Sequence, residues 1–131
     1  MSTVADSHSP PPLLQAGDLG ISYASAGHLP PERVLTELNL TIQAGEKVAM
    51  IGRSGSGKTT FLHACAGLLR PQQGSLVIAG HALHQLDEQV RTRFRRQHVG
   101  LVFQQFNLLP TLTVLENLQF VLALNKLSAD S

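Results

Sequence analysis

Residues 52–60 read Gly-Arg-Ser-Gly-Ser-Gly-Lys-Thr-Thr, and this run constrains the fold more than any other feature of the chain. It fits the phosphate-binding pattern G-x-x-x-x-G-K-[ST], with Gly52, Gly57, Lys58 and Thr59 on the fixed positions. The run Val-Ala-Met-Ile before it is typical of a buried strand, and the apolar residues after it recur at helical spacing. A strand, a glycine loop and a helix in this order predict a site for a nucleoside triphosphate.

The chemistry of this loop assigns roles to its residues. Its glycines allow backbone conformations closed to other residues, so that successive amides can surround a phosphate chain at the positive end of the following helix. Lys58 would place its charge on the β- and γ-phosphates, and the Thr59 hydroxyl would bind a Mg²⁺ that bridges them. Thr60 would add a hydroxyl on the α-phosphate side. The predicted nucleotide-binding residues of the loop are Gly52, Ser54, Gly55, Ser56, Gly57, Lys58, Thr59 and Thr60.

Length and composition set the outer limits. A chain of 131 residues can form one domain with a hydrophobic core. The net charge of +1 and the 15% of charged residues give no reason to expect nucleic-acid binding. The single cysteine, Cys65, lies among apolar positions and is expected to be a buried thiol. Residues 1–12 lack both a basic start and an apolar centre, so we expect a disordered tail rather than a secretory signal.

The remaining sequence predicts mixed α and β structure. A polar helix is expected over residues 87–97, with Asp87 as its cap and with Val90 and Phe94 turned inward. Thr113 and Glu116 form a T-x-x-E capping box, which predicts the start of a second helix. Apolar and alternating segments predict strands over residues 19–23, 38–42, 47–51, 75–79 and 99–103.

Segments on both sides of the loop resemble the ATP-binding-cassette (ABC) family. Residues 38–48 before the loop and residues 66–71 after it are similar to that family. Residues 99–110 look like its Q-loop, and residues 111–117 are similar to the branch that serves lipoprotein-release and macrolide-export systems. The resemblance covers residues 14–125, and its motifs are specific in combination.

The resemblance implies further roles. Tyr23 matches the aromatic residue that stacks on adenine, although an ordinary strand tyrosine explains it about equally well. Gln104 matches the Q-loop glutamine that reaches Mg²⁺ and the attacking water; Gln105 is a second choice, and a solvated amide is the alternative. The implied catalytic residues are Lys58 and Gln104, the implied metal ligands are Thr59 and Gln104, and the implied cofactors are ATP and Mg²⁺.

The implied fold class is α/β: a P-loop NTPase of the ABC type, with an incomplete core sheet beside an antiparallel β subdomain. Residues 13–131 contain no L-S-G-G-Q-type signature, no apolar run that ends in Asp-Glu, and no switch histidine with its strand. We therefore expect them to be the N-terminal part of an ABC ATP-binding domain. Residues 48–51 and 99–103 would then lack their central neighbours in the sheet. By itself the chain is expected to bind Mg-ATP weakly and not to turn it over.

The resemblance also implies partners, and two other functions stay open. A complete member would couple ATP binding and hydrolysis to export or to lipid and lipoprotein handling by a transmembrane permease. It would act at the cytoplasmic face of the cell membrane, with a second ATP-binding subunit in a head-to-tail dimer. The alternatives are a non-hydrolysing nucleotide-binding fragment or split subunit, and a soluble ABC-type ATPase that acts on nucleic acid or the ribosome. The run Leu108-Leu109-Pro110 favours a transporter, and we expect no nucleic-acid partner.

Overall fold

The computed structural model describes residues 9–25 and 27–129. Of the predicted tail, residues 1–8 lie outside the described part, and residues 9–12 belong to no helix or strand. The first two elements are β1 (Leu14–Tyr23) and β2 (Glu32–Ile42), which pair in antiparallel fashion. Both strands were predicted, but both begin earlier than the alternating pattern indicated. Pairing between the strands extends them beyond the residues whose side chains alternate.

A four-stranded antiparallel sheet forms the main layer, in the order β2-β1-β3-β4. Its other strands are β3 (Gln73–Ile78) and β4 (His81–Ala82), joined by a two-residue turn. Ala79 and Gly80 in this turn have φ of 49° and 79°. Two positive φ values are typical of a type I′ hairpin turn, which matches the twist of the flanking strands. The predicted strand over residues 75–79 is therefore real, but Ala79 belongs to the turn.

The helices have local signals at their starts. They are α1 (Lys58–Cys65), α2 (Glu88–His98) and α3 (Val114–Ala129), and a 3₁₀ turn spans Leu83–Gln85. The Asp87 carboxylate accepts a hydrogen bond from the Val90 amide at 2.9 Å, as predicted for a cap. The Glu116 amide donates to the Thr113 hydroxyl, and the Thr113 amide donates to the Glu116 carboxylate. Both predicted helix starts are confirmed.

The hydrophobic core lies between β1 and the helices α1 and α2. Its side chains come from β1 (Leu14, Ala16, Leu19, Ile21), α1 (Phe61, Ala64), β3 (Leu76), the 3₁₀ turn (Leu83) and α2 (Phe94). On β1 the buried positions change register after Ala16, where the pairing with β2 and β3 is irregular. Asp18 has φ of 45° at this irregularity, and its backbone amide donates to the Asn39 side chain at 2.9 Å. The irregularity keeps Leu19 and Ile21 on the core side.

Two predicted strands are wrong for the described residues. Neither residues 47–51 nor residues 99–103 form a strand, and Ile51 and Val102 are 94% and 96% exposed. A strand exists only where its backbone groups pair with a neighbour, and no described segment pairs with these two. The expectation that both would lack central neighbours agrees with this arrangement. Val90 also departs from its prediction, because its side chain is exposed while Phe94 is buried.

Helix α3 presents its apolar residues to solvent. The exposed side chains are Val114, Leu115, Leu118, Phe120, Val121, Leu122 and Leu124. None of the helices in the described ranges is long and apolar enough to span a bilayer.

Candidate functional site

The phosphate-binding loop takes the conformation that its glycines allow. Gly55 and Gly57 have φ of 80° and 95°, in the left-handed region. The Ser56 amide donates to the Arg53 carbonyl at 3.1 Å, and the Phe61 amide donates to the Gly57 carbonyl at 2.9 Å. The first bond closes a turn within the loop, and the second begins α1. The loop therefore leads directly into a helix N-terminus, as predicted.

Strand β2 packs closely against the loop at Gly57. A Cβ atom at Gly57 would lie 2.7 Å from Leu35 Cδ2 and 3.1 Å from the Val34 carbonyl oxygen. These distances are shorter than a normal contact, so a side chain there would push the loop off the sheet. Glycine at this position satisfies two requirements, a positive φ and a close approach to β2.

The Lys58 ammonium group is held over the loop by backbone carbonyls. Lys58 Nζ donates to the carbonyl oxygens of Gly52 and Arg53, the latter at 2.8 Å. Both acceptors are neutral and exposed to solvent, so these bonds leave the positive charge uncompensated. A phosphate group that displaced these carbonyls would gain a charge-assisted hydrogen bond.

A cavity of about 390 Å³ opens where the loop meets α1. Its lining brings together six of the predicted loop residues, Gln104 and a β2 residue: Val34, Ser54, Gly55, Gly57, Lys58, Thr59, Thr60 and Gln104. Gly52 and Ser56 lie outside this lining and shape the loop behind it, since a Cβ at Gly52 would lie 2.7 Å from the Ser56 hydroxyl. Gln104 reaches the loop although 45 residues separate it from Thr59 in sequence. Val34 is a lining residue that the sequence analysis missed.

Tyr23 meets the same site through Thr60. The hydroxyl oxygens of the two residues lie 3.2 Å apart and form a hydrogen bond. Thr60 is 7% exposed, whereas Tyr23 is 41% exposed and does not line the cavity. The tyrosine ring thus lies at the end of β1, and its hydroxyl is hydrogen-bonded to the first turn of α1. This position leaves part of the ring open to a planar ligand.

A second cavity, of about 540 Å³, adjoins the first. Thr59 and Gln104 line both cavities, whereas Gln105 lines only the second. Of these two glutamines, only Gln104 lines the cavity at the phosphate-binding loop. His63, Phe103 and Asn107 complete the second lining. The sequence analysis did not assign His63 a role, although its place four residues after Thr59 puts both on one helix face.

The other titratable side chains described next are either partly buried or hydrogen-bonded to backbone groups. Burial raises the pKa of the Cys65 thiol from its ordinary value of 9.0 to about 12, so it stays protonated at neutral pH. The Leu76 amide donates to His84 Nδ1 at 3.1 Å, which ties His84 to β3. Arg91 and Arg95 donate to the carbonyls of Leu86 and Gly67. Within residues 9–25 and 27–129 no group of three or more His, Cys, Asp or Glu side chains is arranged to hold a metal ion.

Three proteins of similar sequence are each described as an ATP-binding protein. An ABC transporter ATP-binding protein of Mycobacterium tuberculosis (strain H37Rv) is 42% identical over 107 residues, which are 82% of this chain and 42% of that protein. The lipoprotein-releasing system ATP-binding protein LolD 1 of Caulobacter vibrioides is 49% identical over 67% of this chain and 38% of its own length. The bacitracin export ATP-binding protein BceA of Halalkalibacterium halodurans is 36% identical over 88% of this chain and 45% of its own length.

Solved structures agree with these relatives. The ATP-binding cassette MJ0796, in a dimeric post-hydrolysis state bound to ADP and Pi, superimposes with a TM-score of 0.77 and 37% identity. The match covers 86% of this chain and 47% of that one, so the chain spans less than half the length of the relatives named here. Residues 35–131 match the family described as ABC transporter. The chain therefore belongs to the ABC transporter ATP-binding family, and its fold is part of a P-loop NTPase cassette.

Proposed function

We propose that this chain binds Mg-ATP as part of an ABC transporter subunit that couples ATP binding and hydrolysis to a membrane partner. The observation that carries the proposal is the cavity in which Lys58, Thr59 and Gln104 meet. Three groups that the chemistry of a Mg-triphosphate requires, an ammonium, a hydroxyl and an amide oxygen, come there from two distant segments.

Each group has a defined part in this proposal. The loop amides and Lys58 bind the phosphate tail, and the N-terminus of α1 adds its positive end. Thr59 and Gln104 offer neutral oxygen ligands, which fit Mg²⁺ because this ion prefers oxygen and takes its remaining ligands from phosphate and water. When bound, Mg²⁺ would neutralise charge on the phosphates. The exposed ring of Tyr23 provides a stacking surface for adenine.

The proposed membrane partner docks near the loop that follows Gln104. Phe106 is 87% exposed and Leu108 is 63% exposed, and α3 also exposes apolar side chains. Exposed apolar side chains of this kind favour an interaction surface. The named functions of LolD 1 and BceA, lipoprotein release and bacitracin export, support an export or lipid-handling system at the cytoplasmic membrane face. A second ATP-binding subunit is proposed because MJ0796 forms a dimer.

The test is nucleotide binding by the Lys58→Ala variant. Hydrogen bonds to charged groups contribute about 1.5–3 kcal/mol, so the Kd for a fluorescent ATP analogue with Mg²⁺ should rise by about 10- to 100-fold. Lys47→Ala is the matched control, because Lys47 is exposed and lines neither cavity. Equal Kd values for Lys58→Ala and Lys47→Ala would refute the proposal.

A second candidate function is nucleotide binding without hydrolysis. In the described part of the chain, the residues that line the two cavities include no Asp or Glu, the usual carboxylate bases of such sites. Binding measured by fluorescence and phosphate release measured under the same conditions separate the two candidates. Binding without phosphate release supports the second one.

A further inference from the structure

Tyr23 and Thr60 share a hydrogen bond that links the end of β1 to the first turn of α1. Their hydroxyl oxygens lie 3.2 Å apart, and the geometry allows either group to donate. Thr60 is only 7% exposed, and it lines the cavity at the phosphate-binding loop. The Thr60 hydroxyl is thus bonded to Tyr23, while the residue borders the cavity that is proposed to hold phosphate.

Regular structure restrains both partners of this bond. Tyr23 pairs with Glu32 of β2, and the residue before it, Ser22, donates its amide hydrogen to the Gln72 side chain at 2.9 Å. Thr60 lies in the first turn of α1. Because a strand end and a helix already fix the two backbones, the bond costs less conformational entropy than one between two mobile side chains.

The direction of this hydrogen bond matters for an anionic ligand. A hydroxyl group has one hydrogen to donate and two lone pairs with which to accept. Ionised phosphate oxygens only accept, so Thr60 can bind a phosphate only through its own hydrogen. That hydrogen is occupied if Thr60 donates to Tyr23, and it is free if Tyr23 donates to Thr60. The arrangement compatible with a bound phosphate is therefore the one in which the tyrosine hydroxyl donates.

We propose that Tyr23 is a positioning residue that donates its hydroxyl hydrogen to Thr60 and so directs the Thr60 hydrogen toward the phosphate tail of the nucleotide. The inference rests on the proposed function. Consecutive hydrogen bonds polarise one another, so the bond from Tyr23 strengthens the bond from Thr60 to the phosphate. This role is separate from stacking by the Tyr23 ring, because it acts on the phosphate tail and requires no base.

Inorganic tripolyphosphate separates the two roles, because it has the phosphate tail of ATP without the adenine. Calorimetry measures its Kd and that of ATP, each with Mg²⁺. Tyr23→Phe removes the hydroxyl and keeps the ring, Thr60→Val removes the second hydroxyl, and Thr60→Ser keeps it. The double variant combines Tyr23→Phe with Thr60→Val. Thr92→Val is the matched control, because Thr92 lies on α2 and lines neither cavity.

For Tyr23→Phe we expect the Kd for tripolyphosphate to rise by about two- to tenfold, the range that one neutral hydrogen bond contributes, and the Kd for ATP to rise by a similar factor. Thr60→Val should raise both Kd values at least as much. In the double variant Tyr23→Phe should add no further loss, because its effect passes through the Thr60 hydroxyl. Thr60→Ser and Thr92→Val should bind like the unmodified chain.

The inference is overturned if Tyr23→Phe binds tripolyphosphate like the unmodified chain, as expected when the bond only stabilises the fold. Losses that simply add in the double variant overturn it as well.

Urea denaturation gives the folded fraction of each variant, to which the Kd values are referred. If Tyr23→Phe does not fold, equal tripolyphosphate affinities of Thr60→Val and Thr60→Ser overturn the inference, and weaker binding by Thr60→Val supports it. Lys58→Ala separates the two proposals. The proposed function stands alone if Lys58→Ala weakens binding of both ligands while Tyr23→Phe changes neither. Both proposals fail if Lys58→Ala has no effect.

Discussion

Gly74 is the position at which a single added methyl group should damage the fold most. It lies in β3 between Gln73 and Ser75, which pair with Gly20 and Gly17 of β1, and it has φ of 75° beside the irregularity in β1. A Cβ atom there would lie 2.2 Å from the Asp18 carbonyl oxygen and 2.4 Å from the Gly17 carbonyl oxygen. Both atoms belong to the backbone of the central strand, so neither can move without shifting β1.

Two costs add in the Gly74→Ala variant. A left-handed conformation costs an alanine about 1–2 kcal/mol, and a forced backbone shift in a packed region costs about 1–3 kcal/mol more. The free energy of unfolding should therefore fall by about 2–5 kcal/mol, a large share of the stability of a small domain. Gly80→Ala is the matched control, because Gly80 has φ of 79° and nothing lies within 4 Å of its added Cβ.

Urea denaturation followed by circular dichroism measures both variants. We expect Gly80→Ala to lose about 1–2 kcal/mol, the conformational cost alone. The difference between the two variants isolates the collision with Asp18 and Gly17. Equal losses in the free energy of unfolding would show that β1 shifts without a free-energy penalty. The sheet would then not be tightly packed at this point.

Three other changes test separate parts of the structure. Ala79→Asn should raise the free energy of unfolding by about 0.5–1 kcal/mol in urea denaturation, because asparagine tolerates the positive φ of this turn better than alanine. Asp87→Ala should lower it by about 1 kcal/mol through loss of the α2 cap, while the neighbouring Glu88→Ala serves as control. For Cys65, the folded pKa of about 12 exceeds the ordinary 9.0, so the thiol contributes fully below pH 9 and its contribution is lost as the pH rises toward 12. Stability should thus fall above pH 9 in the unmodified chain and fall less in Cys65→Ala; equal slopes would exclude burial of this thiol as the cause.

An open, mostly apolar cavity lies beside the loop. It has a volume of about 610 Å³ and lies among β2, α1 and residues 48–51. Its lining includes Leu38, Leu40, Met50 and Phe61, the kind of side chains that fill a core. The relatives named above are more than twice as long as the region they share with this chain. Apolar segments here therefore read as core residues in sequence but are exposed in the structure.

Features whose hydrogen bonds are local follow directly from the residue types in the sequence. The loop at 52–60, the Asp87 cap and the Thr113–Glu116 capping box each close within a few residues, so their residue types specify them directly. The three longer strands of the sheet were also visible, two from the alternation of their side chains and the one at 75–79 from a short apolar run.

Features that depend on residues far apart in the chain could not be predicted from the sequence. Residues 48–51 and 99–103 have the apolarity of strands, yet they form none, because a strand requires a neighbouring backbone and apolarity does not supply one. The contact between β2 and Gly57, and the shared lining of one cavity by Gln104 and Thr59, arise from packing between segments far apart in the chain. Side-chain patterns report burial along one segment, whereas a site is built where several segments meet.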